Sequence, residues 1–161
     1  MQKINVKFRH QDVVPEELVG RMVVVIDVLR ATSVIATALA NGAAKMKTVQ
    51  TPQQALTLKA QNTSLLLAGE RNAIRLAGFD FGNSPLEMKR EVVDGKEIIL
   101  STSNGTQAIA ASYQAKWIIT AAFVNMKAVV DRLEFLEEDI TIVCSGTNGQ
   151  FSLDDSLAAG V

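Results

Sequence analysis

Four short stretches of this sequence gather carboxylates, arginines and turn-forming residues in a pattern that suits phosphate chemistry. Asp27-Val28-Leu29-Arg30-Ala31-Thr32 sets an acid and a guanidinium three residues apart, and Gly69-Glu70-Arg71 sets another such pair side by side. Ser101-Thr102-Ser103-Asn104-Gly105-Thr106 is rich in hydroxyls and backbone donors. Ser145-Gly146-Thr147-Asn148-Gly149 is a similar turn that leads to Asp154-Asp155. Carboxylates offer the hard oxygens that Mg²⁺ prefers. Arginine grips oxyanions with a planar fork, and the free amides of a helix N-terminus attract phosphate.

Each of these residues also has a plain structural reading. Asp27 could cap a helix, although its apolar neighbours Val28 and Leu29 would leave the carboxylate partly buried and in want of a partner or a metal. Arg30 could form an ordinary surface ion pair. Asn104-Gly105 and Asn148-Gly149 are common turn dipeptides, and Asp154 and Asp155 could simply charge the start of a helix. The functional reading rests on their convergence. Cys144, flanked by Ile and Val, reads as a buried thiol rather than a nucleophile. His10 is the only histidine and has no acid or thiol beside it, which argues against a histidine triad or a histidine-rich zinc site. Trp117 reads as core.

The elements that must position these groups alternate along the chain. Val23–Ile26 is a continuous apolar run, as in a strand buried on both faces. Ala31–Asn41 follows as a helix, with Asn41-Gly42 as its stop. Lys45–Val49, Ser64–Ala68, Lys96–Leu100, Lys116–Thr120 and Ile140–Cys144 are further strands. Helices are expected after Thr51-Pro52, from Thr106 to near Tyr113, over Asn125–Leu136 and from Ser152 onward. This alternation predicts a three-layer α/β/α fold, a mainly parallel sheet with helices on both faces. Ligands of such sheets sit beyond the carboxyl ends of the strands, where the four polar stretches fall. The run Ala158-Ala159-Gly160-Val161 halts inside a helix-like segment, so residues 1–161 read as a single domain cut short at its carboxyl end.

Composition narrows the function classes. The chain has 161 residues, 16 Lys plus Arg against 17 Asp plus Glu and a net charge of −1, which leaves no basic footprint for nucleic acid. The lone cysteine excludes an internal disulfide and fits a reducing compartment. The N-terminus has no signal-like apolar core, and the run Met22–Ile26 is too short to span a membrane. A cytoplasmic protein without nucleic-acid or membrane partners is expected, with a homo-oligomer left open. No Gly-x-x-x-x-Gly-Lys-Ser/Thr loop occurs. Leu29 stands where phosphatases of the haloacid dehalogenase type carry their second aspartate.

Val24–Ser33, Gly69-Glu70-Arg71 with Gly78–Glu87, Thr102–Thr106 and Ser145–Asp155 together resemble, in order, the motifs of the 2-phosphosulfolactate phosphatase family. The resemblance implies Mg²⁺-dependent hydrolysis of 2-phospho-3-sulfolactate to 3-sulfolactate and phosphate, a step of coenzyme M biosynthesis in some organisms. The substrate is then a small anionic phosphate ester. Carried onto this chain, it makes Asp27, Arg30, Glu70 and Asp154 catalytic candidates. Asp27, Glu70, Asp80, Asp154 and Asp155 become candidate metal ligands. Arg71, Asn83, Asn104, Thr106, Gly146, Thr147 and Gly149 become candidate substrate contacts. Asp154 stands where the family is expected to carry Glu, and Ala158 where it often carries Cys. A non-catalytic anion-binding module, an inactive fragment, or a phosphatase of another small phosphorylated acid are the alternatives.

Overall fold

The computed structural model describes residues 2–136 and 138–161. Its strands are β1 (Ile4–Lys7), β2 (Met22–Ile26), β3 (Lys45–Thr48), β4 (Leu66–Arg71), β5 (Ile74–Arg75), β6 (Glu97–Ser101), β7 (Trp117–Ala121) and β8 (Ile140–Cys144). The helices are α1 (Ala31–Ala40), α2 (Pro52–Gln61), α3 (Arg90–Val93), α4 (Gly105–Ala111), α5 (Met126–Leu136) and α6 (Leu153–Ala159). The expected α/β class holds, and every pairing but one is parallel.

The strands form two four-stranded sheets, ordered β1-β8-β2-β7 and β3-β6-β4-β5. In β2 the pleat sends alternate residues to opposite sides. Met22, Val24 and Ile26 pack with Val129 of α5 and Ala158 of α6. Val23 and Val25 face Leu18 and Ala108 of α4. Helix α1 contributes Ala31, Val34, Ile35 and Ala38 to a core with Ile98 and Leu100 of the second sheet. Ile109 of α4 packs against both of the last two cores, so it joins the halves of the molecule. On the far side of the second sheet, Ala55 of α2 meets Leu67, Phe79 and Ile99. That helix starts on a capping box. The Gln54 amide donates to the Thr51 hydroxyl at 3.3 Å, and the Thr51 amide donates back to Gln54 Oε1 at 3.1 Å.

Two strands are not visible in the residue pattern. β1 is an exposed edge whose side chains make little core, so only its pairing with β8 defines it. β5 is two residues long and pairs antiparallel to the end of β4 through the Asn72-Ala73 turn, at φ 53° and 62°. Trp117 is also not core: it lies on the edge strand β7 and is 54% exposed. Among the described residues, no helix is long and apolar enough to cross a membrane.

Candidate active site

The two sheets bring their carboxyl ends to a common cavity. Ile26 is in register with Cys144, and Ser145 N donates to Ile26 O at 2.8 Å, so Asp27 and the β8–α6 loop leave their sheet together. In the other sheet Gly69 pairs with Ser101, which sets Glu70 beside the β6–α4 loop. Between them is a cavity of about 360 Å³, walled by Asp27, Leu29, Arg30, Glu70, Asn72, Ala73, Asn83, Ser103, Asn104, Thr147 and Asn148. Among the described residues, Arg30 is the only cationic side chain on that wall.

Asp27 is 6% exposed. Its Oδ1 accepts from the Ala31 amide at 3.1 Å, so the carboxylate does cap α1. Burial, and then the neighbouring charge of Asp155, push its pKa up to about 7. Asp155 is buried behind it, where it accepts from Val28 N at 2.9 Å, Ser145 Oγ at 3.0 Å and Gly146 N at 3.2 Å. Its pKa is raised as well, first by burial. Asp155 thus knits the two loops of the first sheet together rather than facing the cavity.

Glu70 reaches the cavity already engaged, with Ala73 N and Ser103 N each donating to it at 2.8 Å. Asn83 is buried, and among the described residues its Oδ1 has no hydrogen-bond partner. A buried acceptor left unpaired is costly unless a ligand supplies what it lacks. Among the described residues, no three His, Cys, Asp or Glu side chains cluster closely enough to hold a metal by themselves. The cavity wall carries the carboxylates of Asp27 and Glu70 and, among its amides, the unengaged oxygen of Asn83. That set fits Mg²⁺, which keeps waters and takes substrate oxygens to complete its shell.

The remaining sequence candidates fall around the cavity rather than in its wall. Arg71 turns away, donating to Glu70 O at 2.6 Å, and to Gln50 O and Ser101 Oγ at 3.0 Å each. Its guanidinium therefore fixes the end of β4. Asp80 accepts from Leu67 N at 2.7 Å and pairs with Lys59 at 3.4 Å, on the α2 side of the molecule. Asp154 bonds the Ser152 hydroxyl in the first turn of α6. Thr106 is buried and exchanges hydrogen bonds with Thr102, its amide donating to Thr102 Oγ1 at 3.1 Å. The Asp155 amide is likewise met by Ser152 Oγ at 3.5 Å. These helix starts are thus capped from within.

Gly146 and Gly149 flank the wall residues Thr147 and Asn148. At φ 69°, a Cβ on Gly146 would lie 2.6 Å from Gln150 O, so the turn requires glycine. The cavity residues that the sequence pattern left out are Asn72 and Ala73. Their signal was only an Asn beside Glu70-Arg71, a residue type that tolerates the left-handed turn they form.

Cys144 lies at the end of β8 and is fully buried, which pushes its thiol pKa up to about 11. A thiol so far from ionisation is a poor nucleophile. The Cys144→Ser variant is expected to keep its turnover per folded molecule. It should lose about 1–3 kcal/mol of stability in chemical denaturation, because a hydroxyl is now buried there. Loss of turnover in a normally folded variant would overturn this.

The family model described as 2-phosphosulpholactate phosphatase matches residues 8–161. Over 162 residues the chain is 48% identical to a probable 2-phosphosulfolactate phosphatase of Clostridium perfringens (strain 13 / Type A), covering 98% of this chain and 66% of that protein. Over 140 residues it is 53% identical to a protein of the same description from Thermotoga petrophila, covering 87% and 60%. For the one from Clostridium novyi (strain NT) the identity is 42% over 159 residues, covering 98% and 68%. The chain thus spans about two thirds of the length of these curated relatives. A match this broad, across every loop that forms the cavity, places the chain in the 2-phosphosulpholactate phosphatase family.

Proposed function

We propose that the cavity hydrolyses the phosphate ester of a small, highly anionic hydroxy acid with the help of Mg²⁺, and that 2-phospho-3-sulfolactate is its substrate. The products would be 3-sulfolactate and phosphate, as in a step of coenzyme M biosynthesis. The observation that carries this reading is the meeting of Asp27, Arg30 and the unpaired Asn83 Oδ1 in one cavity of a chain from this family.

Asp27 and Asn83 would hold the metal. A bound Mg²⁺ supplies charge neutralisation at phosphoryl oxygens as the ester bond breaks. Arg30 offers paired N–H donors to an oxyanion of the substrate. Asn72, Asn104, Asn148 and Thr147 present polar groups along the same wall. Before the metal arrives, Asp27 with its pKa near 7 holds a proton part of the time at neutral pH, and Mg²⁺ binding would displace it.

Phosphate release from 2-phospho-3-sulfolactate, with other phosphate esters beside it, tests the proposal directly. Turnover is expected with Mg²⁺ and is expected to vanish after exhaustive chelation by EDTA, returning when Mg²⁺ is restored. Full turnover in EDTA would remove the metal from the reading. Binding of the ester without phosphate release would favour an anion-binding module.

A further inference from the structure

The Glu70 carboxylate is nearly consumed by contacts within the chain. Oε1 accepts from Ser103 N at 2.8 Å, and Oε2 accepts from Ala73 N at 2.8 Å and Ser103 Oγ at 3.1 Å. A carboxylate has about four lone-pair directions, so little remains for a metal. The two partners lie on different loops. Ala73 closes the β4–β5 turn at φ 62°, a left-handed conformation that a residue with a Cβ resists. The charge-assisted bond from its amide to Glu70 holds it there. Ser103 precedes Asn104, whose Oδ1 accepts from Asn148 N at 3.2 Å. One carboxylate therefore begins a chain of ties that runs from a turn of the second sheet to a loop of the first. Three asparagines on those loops, Asn72, Asn104 and Asn148, face the cavity.

We propose that Glu70 is a positioning residue: it clasps the Asn72-Ala73 turn to the Ser103-Asn104 loop and so sets the spacing of the amide side chains that receive the anionic ester, while the metal is held elsewhere in the cavity. The kinetic part of this inference rests on the phosphatase reading; the clasp itself does not.

The Glu70→Gln variant tests it. Glutamine keeps the size and one acceptor for Ser103 N, but its NH₂ group then faces the Ala73 amide, donor against donor. KM for the phosphate ester is expected to rise about tenfold, as the charge-assisted bonds that hold the two loops are lost. The Mg²⁺ concentration giving half-maximal turnover should stay put. Amide hydrogen exchange at Ala73 and Ser103 should accelerate. Adding Ala73→Gly to Glu70→Gln should recover much of the lost KM, because glycine enters the left-handed turn without penalty.

A large rise in the Mg²⁺ requirement with unchanged amide exchange would make Glu70 a metal ligand and overturn the proposal. A lowered melting temperature with unchanged KM and exchange would reduce it to a fold contact, which also overturns it. Should Glu70→Gln fail to fold, Ser103→Ala removes a single bond of the clasp. A smaller rise in KM at constant Mg²⁺ requirement then supports the idea, and no change in KM refutes it. If the unmodified chain releases no phosphate, the phosphatase reading fails. The clasp is then decided by amide exchange in Glu70→Gln and by calorimetric titration with Mg²⁺ alone.

Discussion

The Asp27→Asn variant is expected to fold and to lose turnover by roughly a thousandfold or more at saturating Mg²⁺ and substrate. Its fold should survive because the contact that caps α1 is retained: Asn Oδ1 can accept from the Ala31 amide as Asp27 Oδ1 does. The substitution is also nearly isosteric, in a place where the second carboxylate oxygen lies against the Gly105 backbone. What disappears is the negative charge and the proton that goes with it. Those are what a metal ligand or an acid–base group needs and a cap does not. Near-normal turnover in this variant would return Asp27 to being a cap.

The same residue sets a pH dependence of stability. With its folded pKa raised to about 7, Asp27 holds its proton more tightly in the folded chain than in the unfolded one. The favourable contribution is therefore complete below the ordinary carboxylate range and is lost as pH rises toward 7. The full loss is on the order of 4 kcal/mol. Asp155 shifts in the same direction. The melting temperature of metal-free protein should fall between pH 4 and pH 7, and Asp27→Asn should flatten that fall. Equal slopes for the two proteins would show that Asp27 does not titrate in this range.

A methyl group at Gly105 should be almost as damaging as the loss of the charge. Helix α4 begins at Gly105, directly against Asp27 and the first turn of α1. A Cβ built there lies 2.4 Å from Asp27 Oδ2 and 2.5 Å from Ala31 Cβ. Neither neighbour can swing away freely. Ala31 is fully buried at the start of a helix, and Asp27 is tied to that helix through its amide. Gly105→Ala must therefore push α1 and α4 apart or drive Asp27 out of place. The expected cost is about 1–3 kcal/mol in stability, with turnover down about a hundredfold through misplacement of the carboxylate. Wild-type turnover with an unchanged melting temperature would mean that the Asp27–Gly105 approach is not a feature of the working site.

Much of this protein was legible in its sequence. The run Val23–Ile26 reads as a strand buried on both faces, and its alternate residues do fill two different cores. Asp27, Asn104 and Thr147 follow strands of a parallel fold and Glu70 lies at the end of one, and that topology alone delivers them to one edge. These features depend on local pattern and chain direction, which the order of residues specifies directly.

The rest was decided by contacts between distant segments. Nothing local in Arg71 says that Gln50 and Ser101 will claim its guanidinium, so it looked as suitable for an anion as Arg30. Asp155 and Asp154 are neighbours, yet only packing against Val28 and Gly146 buries the first as a structural acceptor. Trp117 looked like core because its strand is apolar, but the strand ended up at a sheet edge. Division of the strands into two sheets was equally invisible, since the same alternation of strand and helix serves one sheet or two. Residue type and spacing determine which groups arrive at the cavity. Only the tertiary structure decides which of them arrive free, because a hydrogen bond to a partner 30 or 100 residues away leaves no mark on the local sequence.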